Sequence, residues 1–263
     1  MKWRVLSKLG KLKEADFIVL RGPLESGRQS PGNLAGTLIL ATFLQALLFS
    51  LEYFMAGKYT FYPYKDKILM VHFWITLAII VLSLIYSIPA VYKRSGKIQY
   101  LLSILVSQNL FSFSFLISAL FLIGMYGEGK KPNSESLLDI TFIILAIGLL
   151  VFITTCIRFY ILLRKGHYRK GSKKDKMRSK FETTSYLPVA ILAGLGIVFI
   201  IQYIARQSAI DDLNAFVTIV MGILLFFIML FILPEQLVIL YCKYRFKSFN
   251  FNERGYLNNR ESL

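Results

Sequence analysis

Six stretches of 20 to 29 mostly apolar residues constrain this chain more than any other feature. They run from Asn33 to Met55, Leu69 to Val91, Leu101 to Met125, Leu137 to Leu163, Tyr186 to Ala205 and Leu213 to Tyr241. A bilayer core about 30 Å thick is crossed by about 20 residues at the helical rise of about 1.5 Å each. Lipid offers no partner to backbone N–H and C=O groups, so a spanning segment must satisfy them itself or close into a barrel. Barrel strands are short and alternate in polarity, and these stretches do neither. The reading is an all-α polytopic membrane bundle with six transmembrane helices. The fourth and sixth stretches have residues to spare for tilt.

Charge gives the orientation. The chain carries a net charge of +16, yet only 17% of its residues are charged and 56% are hydrophobic. In a soluble protein such a surplus of cations would point to nucleic acid. Here the question is which side the cations occupy. Residues 1–32, 92–100, 164–185 and 242–263 together hold 24 Lys and Arg, whereas 56–68, 126–136 and 206–212 hold 6. Cytoplasmic loops carry the basic excess, so both termini are read as cytosolic and the location as the plasma (cytoplasmic) membrane. Residues 1–32 contain no continuous apolar core before a cleavage site, so the first span is expected to act as its own insertion signal.

The domain layout follows. Residues 1–32 form a basic cytosolic N-tail, 33–241 the transmembrane domain with a basic inner loop at 164–185, and 242–263 a cytosolic C-tail. The outer loops have 13, 11 and 7 residues, which pairs the helices as hairpins and leaves no room for a folded external domain. The inner hairpin ends IPAVYKR, RFYILLRK and LVILYCKYRFK look alike. Interfacial anchoring by aromatics and cations accounts for that without an internal triplication. Pro89 and Pro234 are expected to kink their helices.

Two basic elements face the inner leaflet. Residues 164–180 (RKGHYRKGSKKDKMRSK) read as flexible and solvated. Arg164, Lys165, Arg169, Lys170, Lys173, Lys174, Lys176, Arg178 and Lys180 would contact anionic lipid or an acidic partner. Aromatics are limited there to Tyr168 and Phe181, too few for base stacking, so nucleic acid is not an expected partner. In the N-tail, Val5, Leu6, Leu9 and Leu12 recur at helical spacing among Lys8, Lys11 and Lys13. That pattern suits an amphipathic helix on the leaflet or a partner-binding helix.

Polar residues inside spans are costly in lipid and single out candidate sites. Arg158 and Glu235 lie at equal depth from the cytosolic side, which admits an intramembrane ion pair. Such a pair would tie two helices or, less simply, line an ion or proton path, and Arg158 could instead snorkel to the interface. Glu52 and His72 face each other at the outer ends of the first two spans. They form a possible proton-sharing pair, although water near the interface makes charge cheap there. Ser103, Ser107, Ser114 and Ser118 fall on one arc of the third span, with Gln108 and Asn109 beside them. Ala190 and Gly194, with Gly196 nearby, have small-xxx-small spacing in the fifth. Both stripes read as helix packing. Cys156 and Cys242 stand alone and read as inert thiols. No nucleotide, zinc-protease or nucleophile-elbow motif occurs, so no catalytic residue, cofactor or metal is assigned.

The basic start MKWRVLSKLGKLKE, the six spans and the Lys-rich inner loop together resemble the uncharacterised multi-pass membrane proteins encoded in type VII secretion loci of Gram-positive bacteria. That resemblance implies an accessory role beside a secretion machine, or immunity to a membrane-acting toxin. The expectation is a non-enzymatic protein acting through a membrane-protein partner and the anionic inner leaflet. A small transporter or channel subunit is the alternative, and a lipid-modifying enzyme is third.

Overall fold

Every apolar stretch that falls on described residues is a helix. The computed structural model describes residues 10, 12–125, 133–177, 213–252 and 254–259. Its five long helices are α1 (Pro31–Gly57), α2 (Lys65–Ile85), α3 (Gly96–Ile123), α4 (Ser134–Arg164) and α5 (Leu213–Arg245). All five are long and apolar enough to cross a membrane. The stretch 186–205, with Ala190, Gly194 and Gly196, lies outside the described residues.

Local chemistry sets the helix ends. Ser30 accepts a hydrogen bond from the Asn33 N–H ahead of Pro31, joining a side-chain cap to a proline in the first turn. Asn133 accepts from Glu135 N–H in the same way at the start of α4. At the turn between α1 and α2 Tyr64 takes a left-handed φ of 59°, the reversal that starts α2. Pro89 departs from expectation. It does not kink the second helix but opens a separate short turn, Pro89–Tyr92, after α2 has ended at Ile85. Proline excludes the preceding residue from the helical region, and Ile88 is accordingly extended with ψ of 127°. Pro234, in contrast, lies within the continuous α5.

Three buried layers stack along the bundle. One end packs Ala56, Tyr62, Leu69, Phe121, Leu137 and Phe226. The middle packs Leu38, Ala41, Ile79, Leu102 and Val106. The other end packs Phe17, Leu20, Tyr100, Leu163, Cys242 and Phe249. α3 is central: 61% of its most apolar stretch is buried, against 11% in α4 and 17% in α5. Two glycines permit close approaches between the long helices. A methyl at Gly222 of α5 would come within 2.8 Å of the Phe115 carbonyl, and one at Gly148 of α4 within 2.7 Å of Phe226.

The third layer is closed by a cap from three distant segments. The 3-10 helix Glu14–Arg21 buries Phe17 and Leu20. Val19 N–H donates to Tyr168 O, Arg21 donates to Asn258 O at 2.8 Å, and Arg245 donates to Gly10 O at 2.7 Å. The Ser248 hydroxyl bonds to Glu14, and Phe251 pairs with Leu257 across the C-terminal turn. Residues 12–30, 246–252 and 254–259 are therefore folded onto the bundle rather than trailing from it. Leu12 packs against this layer, while Val5, Leu6, Leu9, Lys8 and Lys11 lie outside the described residues.

Candidate functional site

α3 reaches both α1 and α2 at two levels, each time through one carboxamide. Near the capped end the Gln99 side-chain amide donates to Pro31 O at 2.9 Å and to Tyr86 O at 3.1 Å. The Tyr86 carbonyl belongs to the last turn of α2, where intrahelical donors run out. Ten residues on, roughly 15 Å along the helix, Asn109 repeats the arrangement. Its two amide hydrogens go to Gln45 Oε1 of α1 at 3.0 Å and to Thr76 Oγ1 of α2 at 3.1 Å. Gln45 and Asn109 are 1% and 2% exposed, so this knot is sealed within the bundle. The Ser87 hydroxyl adds a bond to Ala35 O.

At the opposite end the same helices hold the charged pair anticipated from sequence. His72 Nδ1 and Glu52 Oε1 are 2.9 Å apart, at 4% and 1% exposure. The pair is dry rather than bathed at the interface, and the Phe49 ring lies 5.6 Å from the imidazole. Glu52 Oε2 and His72 Nε2 are buried without a hydrogen-bond partner. The arrangement can hold one proton between a carboxylate and an imidazole, with an acceptor and a ring nitrogen left over.

Both polar stations start at wide helical turns. Glu52 opens the π-helical turn Glu52–Gly57, and Asn109 opens the π-helical turn Asn109–Phe113. Such single turns break the regular ladder and occur often at functional sites. The second one also alters the serine reading. It winds fewer degrees per residue, so Ser114 and Ser118 do not continue the arc of Ser103 and Ser107. Ser103, Ser107 and Ser114 donate to Tyr100 O, Ile104 O and Asn109 O of their own helix. Ser118 is half-buried and Ser114 buried, and Ser112, off the predicted stripe, is fully buried as well.

Arg158 and Glu235 line one cleft of about 400 Å³ with Phe159, Tyr168, Lys174 and Phe231. The Arg158 guanidinium lies 5.8 Å from the centre of the Phe231 ring, a cation–π distance. The basic loop is folded over residues 165–177. Tyr168 is buried, and Arg169 Nε donates to Asp16 Oδ1 at 2.6 Å. Lys174 lies over the Tyr168 ring at 4.0 Å. Arg164, Lys165, Lys170, Lys173 and Lys176 are exposed, and Arg178 and Lys180 lie outside the described residues. Among the described residues no group of three or more His, Cys, Asp or Glu side chains is placed to hold a metal.

Sequence reasoning passed over Gln45, Thr76 and Gln99. For Gln45 and Thr76 the signal was present: each is a hydrogen-bonding side chain in an otherwise apolar run, at a depth that matches Asn109 across helices, whereas Gln99 sits in the basic stretch 92–100 and bonds backbone carbonyls. No protein-family model matches the chain, nor does any curated protein or solved structure.

Proposed function

We propose that this chain is a non-enzymatic, six-span protein of the cytoplasmic membrane, with both termini cytosolic, that acts by contact with another membrane protein. The observation that carries the reading is the cap. Three segments far apart in sequence are spent on building one fixed basic surface, with Lys165, Lys170, Lys173 and Lys176 outermost. A protein that only passed solutes would have no need of it. The six-span form is supported by the 24-to-6 division of cations. It is also supported by the positions of the segments around the stretch 186–205. Residues 165–177 join the capped layer, whereas α5 contributes Phe226 to the opposite layer and Cys242 to the capped one. The most concrete form, an accessory or immunity role beside a type VII secretion machine, is carried by the resemblance alone.

The test is a photocrosslinker placed in living cells at position 173, compared with one at position 67 on the opposite end. A discrete membrane-protein adduct at 173 and none at 67 is expected. Lipid adducts alone at both positions would sink the contact reading. Reporter fusions after residues 131, 172 and 259 test the orientation, with only the first expected on the outside.

A second reading, a small transporter or channel, is favoured by the buried Glu52–His72 pair. If it holds, proton or cation flux into proteoliposomes falls in Glu52→Gln. Flux indistinguishable from empty liposomes removes it.

A further inference from the structure

A cavity of about 410 Å³ opens at the capped end, between the turn that joins α2 to α3 and the C-terminal segment. That volume lies within the range of about 300–1,000 Å³ usual for small-ligand pockets. Four of its lining residues are cations: Lys93, Arg94, Lys97 and Lys243. Among the described residues no carboxylate lines it.

Lys243 is the most constrained of the four. It is 3% exposed, although lysine is almost never fully buried without a partner. Its Nζ donates to Phe249 O at 3.2 Å and sits 5.1 Å from the centre of the Tyr100 ring and 5.4 Å from that of Phe251. One carbonyl and two ring faces replace only part of the water an ammonium with three donors would keep. Lys97, on the same wall, lies 5.2 Å over the Tyr244 ring. Cations gathered in a half-enclosed space repel one another unless an anion joins them.

The backbone adds to this field. α3 begins at Gly96 in the cavity wall, and helix N-termini favour anions. The preceding Ser95 side chain does not cap it, and its hydroxyl donates to Val91 O at 2.6 Å. A methyl on Gly96 would meet nothing within 4 Å, so space stands open beside the first turn. The buried Gln99, whose amide N–H groups tie α1 to α2, leaves Oε1 without a partner and able to accept from a hydroxyl. Leu34, Ile98 and Phe251 supply an apolar side.

We infer that this cavity binds a phosphate-bearing anion, held by Lys97 and Lys243 at the N-terminus of α3, with Lys93 and Arg94 at its mouth. The phosphate belongs either to a lipid headgroup or to a soluble phosphate compound. The site depends neither on the contact reading nor on which face is cytosolic.

The test uses the full chain in two arms. In the first, protein is reconstituted in nanodiscs containing equal parts of phosphatidylcholine and phosphatidic acid, then released for native mass spectrometry. In the second, its thermal stability is followed in neutral detergent as inorganic phosphate replaces chloride at constant ionic strength. Retention of phosphatidic acid over phosphatidylcholine by roughly tenfold, lost in Lys97→Gln, assigns the site to a headgroup; tenfold is about 1.4 kcal/mol. Stabilisation by inorganic phosphate that Lys97→Gln abolishes assigns it to a soluble ligand. Lys97 is only half-buried, so this variant folds even if Lys243→Met does not. Lys170→Gln on the basic loop removes the same charge and leaves both readouts unchanged. The inference is overturned if neither arm responds, or if Lys170→Gln costs as much as Lys97→Gln.

Discussion

The two halves of the bundle are joined by different forces. α1, α2 and α3 are fastened by side-chain hydrogen bonds from Gln99, Asn109 and the Glu52–His72 pair. α4 and α5 pack on each other at Gly148 against Phe226, and α5 meets α3 at Gly222 against Phe115 and Ala119; their side-chain bonds to the rest are fewer, with Gln108 donating to Met229 O at 3.3 Å and Tyr62 bonded to Thr141. Lipid tails are as apolar as leucine, so burying apolar side chains does not by itself hold helices together in a membrane. One half answers with polar bonds that have no competing water, the other with glycines that let backbones touch. The first solution fixes register, because a carboxamide has defined partners. The second fixes distance.

Breaking the polar half at its charged pair gives the largest effect. His72→Leu leaves the Glu52 carboxylate buried alone and lowers stability by about 3 kcal/mol. Unfolding in mixed micelles measures it, and the double variant Glu52→Leu with His72→Leu regains most of the loss. A cost under about 1 kcal/mol for His72→Leu would mean that the pair is no tie. The apolar half is probed by Gly222→Val, which drives a side chain into the Phe115 carbonyl and costs about 2 kcal/mol. A cysteine crosslink between α3 and α5 slows in parallel. Asn109→Leu comes next. Bonds of this kind in membranes are worth about 0.6 kcal/mol each, and two are lost, so about 1 kcal/mol is expected in the same assay. Because Asn109 serves α1 and α2 together, Gln45→Leu adds little on top of it. The smallest effect is Asp16→Asn in the cap. Its partner Arg169 is 61% exposed, and solvent reduces such a pair to about 0.5 kcal/mol.

How much of this was legible follows the same division. Apolar length alone located the five described helices, with ends off by up to six residues where Pro89 closes the second stretch early, because bilayer thickness leaves little choice. The facing of Glu52 and His72 was legible too, since the short connection forces α1 and α2 into a hairpin. Its dryness was not, because that depends on Phe49 and on the π-helical turn, for which the local sequence carries no mark. The same kind of turn defeated the serine stripe: a constant 100° per residue fails once a wide turn intervenes. Gly148 escaped because it sits in no small-xxx-small pair, and Gly222 because its one partner at that spacing is Thr218. The cap escaped because a run of lysines reads as solvated unless one knows that Tyr168 between them is held under Val19.

The cap also dictates an order of events during synthesis. Arg21 closes onto Asn258, a partner 237 residues later in the chain. At about 5–20 residues per second, roughly 10–50 s separate the translation of the two. Throughout that interval the end of α1 lies uncovered while every other described helix is being made. Closure therefore cannot precede the synthesis of the five described helices. Cutting the chain after Phe246 would keep the sequence of all five described helices but remove Phe249 from the capped layer and Phe251 from the cavity wall.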